Sequence, residues 1–179
     1  MTPTDARPPV ARRTPGRLLF LFAVHAALSG AFIVAYLTGD EDTYAMHQFA
    51  GYTALAALAV RLLAGVLMPV GPLRLPRPSL AAALDWLRRA ALGEARAWGQ
   101  RSPLLAWMAL ALLAVVGAAA VSGAVADFVV PMEKLHEALG EFSLPVVLAH
   151  VALVAALLGL KKAAGWRARP NTRHEVIAP

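Results

Sequence analysis

Cysteine is absent from this 179-residue chain. That single gap removes disulfides, thiolate metal sites, iron–sulfur clusters and covalently attached c-type haem together. Charge is also scarce. Only 16% of the residues are Asp, Glu, Lys or Arg, whereas 59% are hydrophobic, and the mean hydropathy is +0.59. A soluble domain of this length carries more charge and less apolar surface. The net charge of +6 could suggest nucleic acid. The basic residues, however, collect beside apolar runs, which points to lipid headgroups and topology. No cleavable signal peptide is expected, because the first apolar run is too long and carries a candidate ligand.

What is present is four apolar runs, at about residues 18–38, 44–68, 103–126 and 139–160. Each has the ~20 residues that a membrane-crossing helix needs. The predicted fold is therefore an all-α membrane protein, a four-transmembrane-helix bundle over residues 18–162. A basic, proline-containing arm (1–17) precedes it and a polar tail (163–179) follows. No internal repeat stands out.

Charge asymmetry predicts the orientation. Arg7, Arg12, Arg13 and Arg17 lie in the arm, and Arg74, Arg77, Arg88, Arg89, Arg96 and Arg101 lie in the central connection. Lys161, Lys162, Arg167, Arg169 and Arg173 lie at the end. The other two connections hold Asp40, Glu41, Asp42, Asp127, Glu133 and Glu137, with Lys134 their one basic residue. Both termini and the central connection are thus expected on the cytoplasmic side. Within Ser79–Gln100, Leu80, Leu84, Leu87, Ala91 and Trp98 recur at helical spacing with arginines elsewhere on the wheel. That pattern predicts a helix lying in the cytoplasmic interface between spans two and three. The prolines before it, Pro69, Pro72, Pro76 and Pro78, predict a non-helical exit from span two.

Four histidines, His25, His47, His136 and His150, sit in or at the ends of these runs; the fifth, His174, is in the polar tail. Ionisable groups are costly in lipid and usually functional there. His136 and His150 are fourteen residues apart, which is roughly 21 Å of helix rise, with the two rings on nearly one face. With alternating helix directions, His47 falls at the outer level of His136 and His25 at the inner level of His150. Ligands arriving as two separated pairs suit two six-coordinate haems, each held by two imidazoles. Structural zinc wants about four ligands in one place. A carboxylate chain for proton pumping is not evident.

Small and basic residues extend the pattern. His47 and His136 are each followed four positions later by glycine, Gly51 and Gly140, where a flat macrocycle could lie against the backbone. Arg61, fourteen residues after His47, falls at the inner level. There it could pair with a haem propionate or reach the cytoplasmic interface.

These residues resemble the prokaryotic cytochrome b561 family and the related b-type subunits of nickel–iron hydrogenases. The resemblance is carried by Arg17-Leu-Leu, His25 and Thr38-Gly39 in the first span. It continues through Met46-His47-x-x-x-Gly51 and Val60-Arg61-Leu-Leu, then His136-Glu and His150. Trp98-Gly-Gln-Arg-Ser-Pro-Leu-Leu-Ala, leading to Ser122-Gly123, is similar to the segment entering the third span of the hydrogenase-like branch. Ala26 departs from a family that often has Trp there. The likeness covers about residues 17–162. It implies two haem b groups with bis-histidine ligation, in the bacterial cytoplasmic (inner) membrane. It also implies electron exchange between the quinone/quinol pool and a partner, either a periplasmic redox protein or hydrogenase-like subunits.

Three other readings compete. Some members of the family oxidise superoxide at the outer face and reduce quinone, which needs a positive funnel where this sequence has Lys134 alone. A haem-bearing anchor subunit of a larger oxidoreductase differs only in its partners. A metal-ion transporter using the histidines predicts no visible absorption.

Overall fold

The computed structural model describes residues 15–68, 71–94 and 102–167. Most of the N-terminal arm, the Arg96–Trp98 stretch and the tail with His174 lie outside the described residues. Those that are described form five α-helices and three short 3-10 turns, with no strand among them. Four of the helices are long and apolar enough to cross a membrane, so this is a multi-pass, all-helical membrane protein. Most of each span's surface looks outward rather than into protein, as lipid-facing helices require. The chain divides into two compact units, up to Leu75 and from Pro76 onward.

The first unit is a helical hairpin. Helix α1 (Pro15–Leu37) packs along α2 (Tyr44–Leu67). Thr38 closes α1 by donating its hydroxyl to the Val34 carbonyl at 2.6 Å. A 3-10 turn, Glu41–Thr43, then reverses the chain. Small residues are buried in this hairpin, Ala31 on α1 and Ala50, Ala54 and Ala64 on α2, with Leu58 among them. Without a hydrophobic effect between helices in lipid, such close backbone approach supplies the packing energy.

Beyond α2 the chain turns at Gly71, whose φ of 59° suits glycine, into a 3-10 turn, Gly71–Leu73. Leu73 is 2% exposed, and Leu75 lies so close to Gly65 that an added Cβ there would meet its side chain at 2.6 Å. Arg61 fastens the segment, donating Nη1 to the Leu73 carbonyl at 3.0 Å and Nη2 to that of Arg74 at 3.4 Å.

The second unit opens with α3 (Leu80–Ala91), capped by Ser79, whose hydroxyl accepts from the Ala82 amide. The sequence suggests a helix running on to Gln100, but α3 stops at Gly93. There φ is +74°, and the Gly93 and Glu94 amides fold back on the carbonyls of Ala90 and Arg89. This is the left-handed glycine stop, which satisfies carbonyls the helix end would leave open. Helix α4 (Leu104–Ala126) follows Ser102, whose hydroxyl accepts from the Leu104 amide.

A 3-10 turn, Val130–Met132, leads into α5 (Glu133–Arg167), which packs on α4. Its 35 residues extend roughly 52 Å, well beyond the ~30 Å hydrocarbon layer. The sequence predicts only the apolar middle of α5 (139–160). The helix also takes in polar turns at both ends because backbone hydrogen bonding continues into the interface, where hydropathy falls. Pro145 lies inside it. It has no amide to offer the Glu141 carbonyl. In the same turn Ser143, 1% exposed, donates its hydroxyl to the Gly140 carbonyl at 2.6 Å.

Candidate haem-ligand sites

His47 sits in the first turn of α2, half-buried, and its Nδ1 lies 2.7 Å from the carbonyl oxygen of Ala35 on α1. A carbonyl only accepts, so Nδ1 carries the proton and donates. The basic nitrogen of the neutral ring is then Nε2, the usual form of a metal-ligating histidine whose other nitrogen is tethered. Ala35 is in the last turn of α1, where carbonyls lack an intrahelical amide. The Thr38 amide reaches this one at 3.4 Å, so the imidazole takes an acceptor the helix end leaves open. Tyr44, one turn earlier, stacks on the ring with centroids 6.3 Å apart.

His136 is in the first turn of α5, also half-buried, and its Nδ1 lies 3.0 Å from the carbonyl oxygen of Ala119 on α4. The same logic puts the proton on Nδ1. Ser122, 4% exposed, donates its hydroxyl to that same Ala119 carbonyl at 3.0 Å, and its oxygen is 3.4 Å from Nδ1. The ring lies against Gly123. A Cβ built there would be 2.8 Å from Cε1 and 3.1 Å from Nδ1. Only glycine lets the imidazole rest this close to the α4 backbone.

The remaining two histidines lie at other levels of their hairpins. His25, exposed on α1, is ten residues before Ala35 and so about 15 Å along the helix from the His47 tether. His150 shares the continuous helix α5 with His136, fourteen residues and roughly 21 Å further on, with Pro145 between them. It is half-buried, its Nδ1 closed off from solvent. Each hairpin thus presents two imidazoles at separated levels rather than one cluster. Among the described residues, no three His, Asp or Glu side chains gather in a group able to hold a bare metal ion.

Gly51 and Gly140 stand beside open space, with no heavy atom within 4 Å of a built Cβ. Within its own hairpin neither is needed for helix–helix approach, which leaves room for a flat group one turn beyond a tethered imidazole. Arg61, besides its two carbonyl contacts, retains guanidinium donors for an acidic group. Sequence reasoning assigned no role to Tyr44, Ser122 or Gly123. Ser122-Gly123 was visible as a small pair in the last turns of the third span. Nothing in one dimension says that it touches a histidine fourteen residues later.

A search of known families, curated proteins and solved structures finds no match to this chain.

Proposed function

We propose that this protein is a transmembrane di-haem b-type cytochrome of the cytochrome b561 kind, passing electrons between the membrane quinone pool and a redox partner. The observation that carries the reading is the shared setting of His47 and His136. In two hairpins of unlike sequence, a histidine in the first turn of a helix donates Nδ1–H to a carbonyl of the neighbouring helix. Nε2 is then the nitrogen that would coordinate iron in both. The donor set, separated imidazoles with no cluster of three ligands among the described residues, fits haem better than a bare metal ion.

When bound, haem supplies one-electron chemistry. The tethers to Ala35 and Ala119 fix the tautomers and orient the rings of His47 and His136. On the sequence spacing, His47 with His136 would hold the outer haem and His25 with His150 the inner one. Gly51 and Gly140 leave room for the outer macrocycle. The spare donors of Arg61 would pair with a propionate at the inner level, as its spacing from His47 suggests. By the distribution of arginine and lysine, both termini and α3 are cytoplasmic. Leu80, Leu84 and Leu87 of α3 are exposed on one stripe beside Arg88, which suits a helix lying in the headgroup layer of the inner membrane.

The test is a reduced-minus-oxidised spectrum with haem quantification on the purified protein and on His47→Ala and His150→Ala. Two b haems per chain are expected, each variant retaining one. A colourless protein from haem-replete cells overturns the proposal.

A further inference from the structure

The Ala119 carbonyl on α4 is asked to accept more than its share. In a regular α-helix it already receives the amide four residues on, that of Gly123. The Ser122 hydroxyl reaches it at 3.0 Å and the His136 Nδ1–H at 3.0 Å. Two lone pairs therefore face three donors. The Ser122 hydroxyl and the imidazole compete, and the histidine's bond is longer than the 2.7 Å bond His47 makes to Ala35. Ser122 is buried and needs no second partner for its own sake, since the carbonyl three residues back satisfies its proton. Its oxygen lies 3.4 Å from Nδ1, longer than an ordinary N–H···O bond, so what its position chiefly changes is the carbonyl left for His136.

We propose, building on the di-haem reading above, that Ser122 and Gly123 are positioning residues that set the reduction potential of the outer haem through His136. A strongly bonded Nδ1–H raises the electron donation of the opposite nitrogen, which favours the more positive, oxidised iron. Ser122 draws on the same carbonyl, weakens that bond and so raises the potential. Gly123 acts in the opposite sense. By leaving no Cβ under the ring, it allows Nδ1 to reach the carbonyl at all. Neither residue touches the iron.

The two substitutions therefore move one haem in opposite directions. In Ser122→Ala the carbonyl is released to His136, and the equilibrium constant for reducing one haem falls roughly threefold to tenfold, the size of a single hydrogen-bond change. In Gly123→Ala the new Cβ displaces the ring from its 3.1 Å approach. The potential of the same haem then rises, or that haem alone is lost. Thr53→Ala is the control: its hydroxyl also bonds a carbonyl of its own helix, Phe49 at 2.8 Å. It leaves both potentials in place.

The measurement is a spectroscopic redox titration of the purified holoprotein, with haem quantification and low-temperature electron paramagnetic resonance to identify which low-spin signal moves. If the wild type holds two haems and Ser122→Ala leaves both potentials unchanged or raises one, the inference fails alone. It fails alone too if Gly123→Ala keeps both haems at wild-type potentials. A wild type without haem brings down the di-haem reading and this inference with it.

Discussion

In the α1–α2 hairpin the His47 ring takes a carbonyl from the last turn of a helix, whereas in the α4–α5 hairpin His136 shares one from mid-helix. The Ala35 oxygen belongs to a helix end, where carbonyls lack partners and the helix dipole adds negative charge. Its bond to Nδ1 is 2.7 Å. The Ala119 oxygen is already engaged within its own helix, so the imidazole arrives at 3.0 Å beside a competing serine and needs a glycine beneath it. The first arrangement requires nothing special of α1 beyond its end point. The second requires two particular residues. One outcome, a ring with its proton pinned on Nδ1, is therefore reached once by chain termination and once by side-chain chemistry.

Breaking the pair outright gives the largest effect. If both tethered rings grip one haem, His47→Ala, His136→Ala and the double variant each keep one haem per chain by pyridine haemochrome assay. Two independent sites would leave the double variant with none.

The next effect is read in stability rather than cofactor and contrasts two glycines of the α1–α2 hairpin. Gly65→Leu forces a side chain into Leu75 and is expected to cost about 1–3 kcal/mol. Gly30→Leu on α1, where a Cβ meets nothing within 4 Å, should stay within about 0.5 kcal/mol of wild type. Thermal unfolding in detergent followed by circular dichroism compares them.

Arg61→Ala comes third. It removes two hydrogen bonds from a charged donor to the Leu73 and Arg74 carbonyls, a loss of about 1–2 kcal/mol at a half-exposed site. Arg61→Lys recovers only part of it, because one ammonium cannot span both carbonyls as a guanidinium fork does. The same melting experiment reads both variants. A shift of the inner haem potential in Arg61→Ala alone marks the propionate contact.

Gly93→Ala gives the smallest effect, about 1 kcal/mol, because alanine must enter the left-handed region at φ +74°. Amide exchange at Leu92 and Glu94 should rise while the long helices keep their protection.

Helix number and approximate extent were legible in one dimension, since ~20 apolar residues in a row have few other uses. The α3 and α5 boundaries were not. Gly93 ends α3 through a backbone hydrogen-bonding pattern that hydropathy does not register, and Trp98 continued the apolar spacing past the true stop. At α5 the reverse holds: helical hydrogen bonding runs through Glu133, Lys134 and Lys161, where hydropathy had already fallen. The histidines were visible because an ionisable group in an apolar run is conspicuous. Their tethers were not, because the acceptors are main-chain atoms of two alanines.

By itself the sequence determined the four spans, the spacing of the two histidines within each hairpin and the charge asymmetry that argues for orientation. All of these follow from residue type and from spacing along a helix of known rise. Only the tertiary structure decided which nitrogen of His47 and His136 carries the proton, that Ser122 competes for its acceptor, and that Arg61 holds the turn beyond α2. Those depend on which backbone atoms of one helix come within 3 Å of a side chain on another, a distance that no pattern along a single helix encodes.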